Sequence, residues 1–105
     1  MGSQVRRGPR HPFYAAAEIV EQESQTRMTT RTSELSRHGC YMDMLNPLPL
    51  GTPIRIEISY NQETFGTTAR VIYSQQNMGM GVAFDELDAL EEQILEKWLG
   101  ALPGN

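Results

Sequence analysis

Two short stretches of the chain hold side chains whose types and spacing could do chemistry. Near the N-terminus, VRRGPRHP brings Arg6, Arg7 and Arg10 together, and residues 34–39 read ELSRHG, with Glu34, Ser36 and Gly39. Arginine offers a planar fork of donors that can grip a phosphate, or the O6/N7 edge of a guanine, at two points at once. Taken alone, the arginines read better as a solvated basic tail. By the same standard ELSRHG reads as an ordinary turn between strands with a surface acid.

No comparable group points to catalysis. His11 and His38 lack a third partner at metal-ligand spacing, and Cys40, the single cysteine, alternates with Met42 and Met44 as a small core residue would. No activated nucleophile and no acid/base pair is visible, so no catalytic residue, metal or cofactor is expected. One cysteine allows no intramolecular disulfide, which fits a reducing compartment. No apolar run reaches bilayer length, and no signal-type apolar stretch follows the first basic residues, so a cytoplasmic protein without a membrane role is expected.

The net charge of −4 over 105 residues conceals a split. Residues 85–99 hold six acids against Lys97, whereas the remainder holds eight arginines, no lysine and seven acids. The part able to hold a ligand is thus slightly basic and purely arginine. Duplex DNA needs a broader basic field, and the eight aromatics, mostly on presumed core faces, are too few for an RNA-stacking surface. Neither DNA nor RNA is an expected partner.

The elements that must position these residues are mostly strands. Gly8, Pro9 and Pro12 mark residues 1–12 as an arginine-rich, flexible arm, and one domain is expected over 13–100. Residues 13–23 read as a strand despite three alanines, because no helical stripe runs through them. Threonine-rich 26–33 suits a half-exposed strand, followed by a turn at 36–39 and a short period-two segment at 40–45. After the proline-punctuated loop 46–52, Ile54, Ile56 and Ile58 alternate strictly with Arg55, Glu57 and Ser59. A return strand at 64–74 sets Thr67, Ala69, Val71 and Tyr73 on one face, and GMGVAF, residues 79–84, closes the series. Leu87, Leu90, Ile94 and Trp98 then recur at helical steps, with Asp88 and Glu91 as a capping box and Gly100 as a stop, predicting a helix over about 86–99. The fold class expected is mostly β: a small six-stranded antiparallel β-barrel with a C-terminal α-helix.

Taken together, RRGPR, ELSRHG and the closing GMGVAF resemble the PilZ family. That family is recognised by an RxxxR segment on the N-terminal arm, a (D/N)xSxxG segment further on, and a Gly-x-Gly-Val-x-Phe strand before the last helix. The similarity covers nearly the whole chain. It departs from the pattern at Glu34, where the family has Asp or Asn, so the carboxylate is carried on one more methylene.

The resemblance implies a receptor for cyclic di-GMP. Arg6, Arg7 and Arg10 would clamp phosphate and a guanine edge, Glu34 and Ser36 would approach another guanine or its ribose, and Gly39 would let the backbone turn sharply and come close. The arm would fold over the nucleotide and so present a new surface to an unidentified protein partner. The competing reading is a PilZ-like interaction scaffold with lost or weakened nucleotide binding, using the acidic helix or an open barrel edge. Glu34 is the residue that favours it.

Overall fold

Alternation of apolar and polar side chains decides which face of a strand is buried, most cleanly where Ile54, Ile56 and Ile58 are buried between exposed Arg55 and Glu57. The structure is a computed structural model that describes residues 10–102, so Arg6 and Arg7 lie outside the described residues. Six antiparallel strands, β1 (His11–Glu21), β2 (Arg27–Leu35), β3 (Gly39–Asp43), β4 (Pro53–Tyr60), β5 (Glu63–Gln75) and β6 (Gly79–Phe84), precede one helix, α1 (Ala89–Gly100). Phe13, Ala15, Ala17 and Ile19 on β1 meet Ile54, Ile56 and Ile58 on β4 in a core completed by Leu35, Met42, Phe65, Val71, Met80 and Val82.

The strands close on themselves in the order β1-β2-β3-β6-β5-β4. Closure comes from β1, which is long enough to pair with β2 along one side and with β4 along the other, from Ala16↔Ser59 to Glu21↔Ile54. The open barrel edge expected for a scaffold is therefore corrected: no sheet edge runs the length of the barrel among the described residues, because full closure removes it.

Three irregularities interrupt the ladders, and those on β2 and β5 change which side chains face outward. On β1, Phe13 and Tyr14 stand opposite Ser33 alone, since Pro12 pairs with Glu34 and Ala15 with Thr32. Pro12 has no N–H to offer this ladder. The buried Thr32 hydroxyl makes good the gap, donating to the Phe13 carbonyl at 2.7 Å and accepting from the Ala15 N–H at 3.1 Å. Between β2 and β3 the extra residue is Ser33, because Thr32 pairs with Met42 and Glu34 with Tyr41. A bulge reverses the side-chain phase, so Leu35 is buried next to Thr32's side of the strand and Glu34 is turned out. On β5 a third bulge lies between Val71 and Tyr73. The sequence reading put Tyr73 on the face of Val71; the bulge carries it to the outside, where it is 47% exposed.

The helix seals the barrel end at which β1 begins and β2 ends. Trp98 is buried against Phe13, Tyr60 and Phe65, with ring centroids 5.6, 5.6 and 6.2 Å away, and its indole N–H donates to Glu63. α1 starts later than the acids suggest, at Ala89, with Asp88 as N-cap accepting from the Glu91 N–H at 2.9 Å. Only this half of the predicted capping box forms, for the Glu91 carboxylate instead accepts the Gly66 N–H of β5 at 2.7 Å and ties the helix to the barrel. Leu90, expected on the apolar stripe, is 63% exposed, since the buried face centres on Leu95, Trp98 and Leu99. Gly100 continues the helix and Ala101 ends it as a right-handed cap.

Candidate functional site

At the sealed end of the barrel, the start of β1 and the end of β2 bring the two sequence segments together on the outer surface. Arg10 precedes β1 by one residue, and the pairings His11↔Leu35 and Pro12↔Glu34 set it beside the end of β2. Its guanidinium lies 3.2 Å from the Glu34 carboxylate, with both side chains roughly two-fifths exposed, at 38% and 40%. A partly exposed pair of this kind contributes little to stability, ~0–1 kcal/mol, and its donors and acceptors stay within reach of a ligand.

Ser36 and Gly39 belong to the turn that follows. The Ser36 N–H donates to the Gly39 carbonyl at 2.9 Å, its hydroxyl donates to the same oxygen at 3.2 Å, and the His38 N–H reaches the Ser36 hydroxyl at 3.3 Å. Ser36 is buried, so its hydroxyl builds the turn from within. Gly39 is glycine for a different reason from the sharp turn expected of it. Its φ is not positive; a Cβ there would meet the Val82 carbonyl oxygen of β6 at 2.0 Å. The turn is thus clamped onto the closing strand, where the Phe84 N–H also donates to the His38 carbonyl at 2.8 Å.

Arg37, between Ser36 and Gly39, reaches the other way and pairs with Glu96 of α1 at 2.9 Å. The pairing ties the motif turn to the helix, a contact that neither segment reveals on its own. Of the sequence-expected residues, the structure brings Arg10, Glu34, Ser36 and Gly39 into one corner; Arg6 and Arg7 lie outside the described residues. Next to Glu34, and missed by the sequence reading, stands Tyr41 on β3. Burial and the neighbouring Tyr73, Asp43 and Glu34 push its phenol pKa upward, so the ring keeps a neutral hydroxyl at ordinary pH.

Other groups with chemical potential sit elsewhere. Full burial pushes the Cys40 thiol up to about 12, which leaves it an inert core group. Among the described residues no three His, Cys, Asp or Glu side chains gather as a metal site, and no helix is long and apolar enough to cross a membrane.

The described residues thus form a closed six-stranded antiparallel barrel sealed by one C-terminal helix, with an Arg/Glu pair beside a Ser-x-x-Gly turn. The PilZ domain model matches residues 4–101, and the chain belongs to the PilZ family. Solved structures agree on the fold. The chain is similar to the PilZ domain of CeSA from a cellulose-synthesizing bacterium at 21% identity and TM-score 0.71, covering 89% of this chain and 96% of that one. It is similar to the PilZ domain of YcgR from Escherichia coli, solved with c-di-GMP, at 17% identity and TM-score 0.72, covering 92% and 90%. The Bacillus subtilis inhibitor of motility MotI/DgrA aligns at 18% identity and TM-score 0.68, over 89% of this chain and 48% of that one. Comparison with curated proteins returns no match.

Proposed function

We propose that this chain is a cyclic di-GMP receptor domain that binds the nucleotide on the outer barrel surface and performs no catalysis. The observation that carries the reading is the Arg10–Glu34 pair at 3.2 Å beside the Ser36–Gly39 turn, in a chain of the PilZ family. An arginine fork and a carboxylate side by side suit a ligand that carries phosphates and guanine edges. The fork takes a phosphate oxygen or guanine O6/N7, and the carboxylate accepts from guanine N1–H and the exocyclic amine. Arg6 and Arg7 would add further donors from the arm, Gly39 brings the turn close, and Ser36 holds it in shape.

Ligand binding would change a partner-facing surface through Arg37. Its 2.9 Å pair with Glu96 joins the motif turn to α1, so a nucleotide that draws the Arg37 guanidinium to a phosphate would release the helix from the turn. The acidic helix face would then be the surface read by a protein partner in the cytoplasm.

The scaffold alternative draws on the same pair. Arg10 and Glu34 neutralise one another, so a ligand must displace an existing contact before it gains a new one. Calorimetric titration of the full chain with cyclic di-GMP decides between the two readings. Binding that weakens with salt and is largely lost in Arg10→Ala is expected, and a flat titration of the unaltered protein would sink the receptor reading. Glu34→Asp, which restores the family's shorter acid, should tighten binding if Glu34 contacts the ligand.

A further inference from the structure

In the closed order of strands, β1 stands across the barrel from β6, and the outer face it shares with β2 and β4 carries its charges in rows. Val20 pairs with Arg27 on β2 and Arg55 on β4, Glu18 with Thr29 and Glu57, and Ala16 with Arg31 and Ser59. Ala17, Ile19, Ile56 and Ile58, which alternate with these residues, are buried, so the three rows face outward. One row therefore holds two carboxylates abreast, and the next holds two arginines with Val20 between them.

Carboxylates directly opposite one another on neighbouring strands repel and destabilise a sheet. Within the chain this repulsion is only half relieved. Arg27 reaches Glu18 at 3.4 Å and Arg31 pairs with Asp43 at 3.5 Å, but Glu57 and Arg55 make no ion pair among the described residues. Beside the carboxylates the short side chains of Ala16 and Ser59 leave a shallow groove that runs along Glu18, Thr29 and Glu57.

A wholly basic or wholly acidic partner would be drawn to one of these rows and repelled by the other. A second copy of this chain satisfies both when it is turned about an axis lying across the strands, over the register line Met28–Ile19–Ile56. That rotation lays the carboxylate row of each copy on the arginine row of the other, so that Glu57 meets Arg55 and Thr29 meets Arg27. It also sets the groove at Ala16 over the start of the second copy's β1–β2 turn, at Gln22. A two-fold axis along the strands would instead stack each row on its like.

We propose that the outer face of β2, β1 and β4 pairs two copies of this chain about the axis across the strands, with Glu57 of each copy against Arg55 of the other. Such a contact is isologous, so every pair occurs twice. Its charged character makes it reversible and sensitive to salt. Glu18 stands eight residues beyond Arg10, roughly 25 Å at the usual strand rise, so the contact leaves the Arg10–Glu34 corner free and does not depend on what that corner binds.

Sedimentation equilibrium of the full chain over a range of concentrations tests the pairing. At about 0.1 M salt the Debye length of about 10 Å screens the general repulsion between two chains of net charge −4 and spares pairs in contact; at about 1 M it falls to about 3 Å. The unaltered protein and Arg10→Ala should both shift from one chain toward two as concentration rises in the lower salt, and return to one in the higher. Glu57→Arg and Arg55→Glu should each weaken the pairing by about ten-fold or more, because each sets like charges face to face at two positions. The double exchange Glu57→Arg/Arg55→Glu should restore it. Thermal melting of dilute samples checks that each variant folds; for one that does not, Glu57→Gln or Arg55→Gln takes its place and should weaken the pairing in the same direction. An unaltered protein that stays monomeric at every concentration in the lower salt overturns the proposal. So does self-association that the single exchanges leave intact or that the double exchange fails to restore.

Discussion

Replacing Thr32 by valine tests how the barrel aims its outer surface. Thr32 is fully buried, and its hydroxyl holds the β1 bulge by donating to the Phe13 carbonyl at 2.7 Å and accepting from the Ala15 N–H at 3.1 Å. Valine keeps the shape and removes both bonds, leaving two buried backbone groups without a partner. At about 1–3 kcal/mol for each such group, the variant should lose about 2–6 kcal/mol. A domain of this size holds only ~5–15 kcal/mol in total, so the melting temperature should fall by about 10–25 °C. Thr32→Ser keeps the hydroxyl and gives up one methyl, about 1 kcal/mol. The measurement is thermal unfolding of both variants followed by circular dichroism and Trp98 fluorescence. Valine melting at the same temperature as serine would refute the claim that this hydroxyl holds the bulge. Partial loss of the bulge should also turn Glu34 away from Arg10, so that Thr32→Val should bind cyclic di-GMP more weakly than Thr32→Ser at a temperature where both are folded.

Three further outcomes are expected. Gly39→Ala should unfold the domain or leave it unable to accumulate, because its Cβ would meet the Val82 oxygen at 2.0 Å; a cooperative melt near that of the unaltered protein would contradict the packing described. Trp98→Ala should cost about 3–5 kcal/mol in urea unfolding, since the indole is 2% exposed and packs on Phe13, Tyr60 and Phe65; a loss under about 1 kcal/mol would mean the helix is not a structural seal. For Cys40, the folded thiol is raised to about 12 from an ordinary value of 9.0, so its contribution is intact below pH 9.0 and lost as pH rises toward about 12, where the unfolded thiol ionises first. Unfolding free energy measured from pH 8 to 11 should therefore fall more steeply in the unaltered protein than in Cys40→Ala, and parallel curves would exclude the effect.

Much of the architecture was legible in the residues because it depends on local alternation. Pro53–Tyr60 and Gly79–Phe84 emerge with the bounds their periodicity implied, and the helix carries Trp98 on its buried face as expected. Errors cluster at the ends of elements and at the breaks in phase. β2 runs on to Leu35, two residues past its threonine-rich stretch, because pairing with β1 and β3 supplies partners that composition does not show. Glu91 satisfies the Gly66 N–H of β5 where a local capping box would have turned it back on Asp88, and no count of local spacing can choose between a near donor and one 25 residues away.

The site divides along the same line. Residue types and order alone determined that arginines precede the first strand, that Glu34, Ser36 and Gly39 fall around the end of the second, and that the chain belongs among barrels of this kind. Only the tertiary structure decided that Arg10 meets Glu34, that Arg37 reaches Glu96, and that Tyr41, Gly81 and Tyr73 share one outward row. The physical reason is the set of bulges. Those on β2 and β5 each insert one unpaired residue and reverse which face the following side chains take, whereas the one on β1 leaves the buried alternation of Phe13, Ala15 and Ala17 intact and is held by a hydroxyl that bonds 17 and 19 residues away along the chain. Periodicity tells which residues alternate; only the long-range strand pairing tells where the alternation changes phase, and with it that Glu34 and Tyr73 are turned outward.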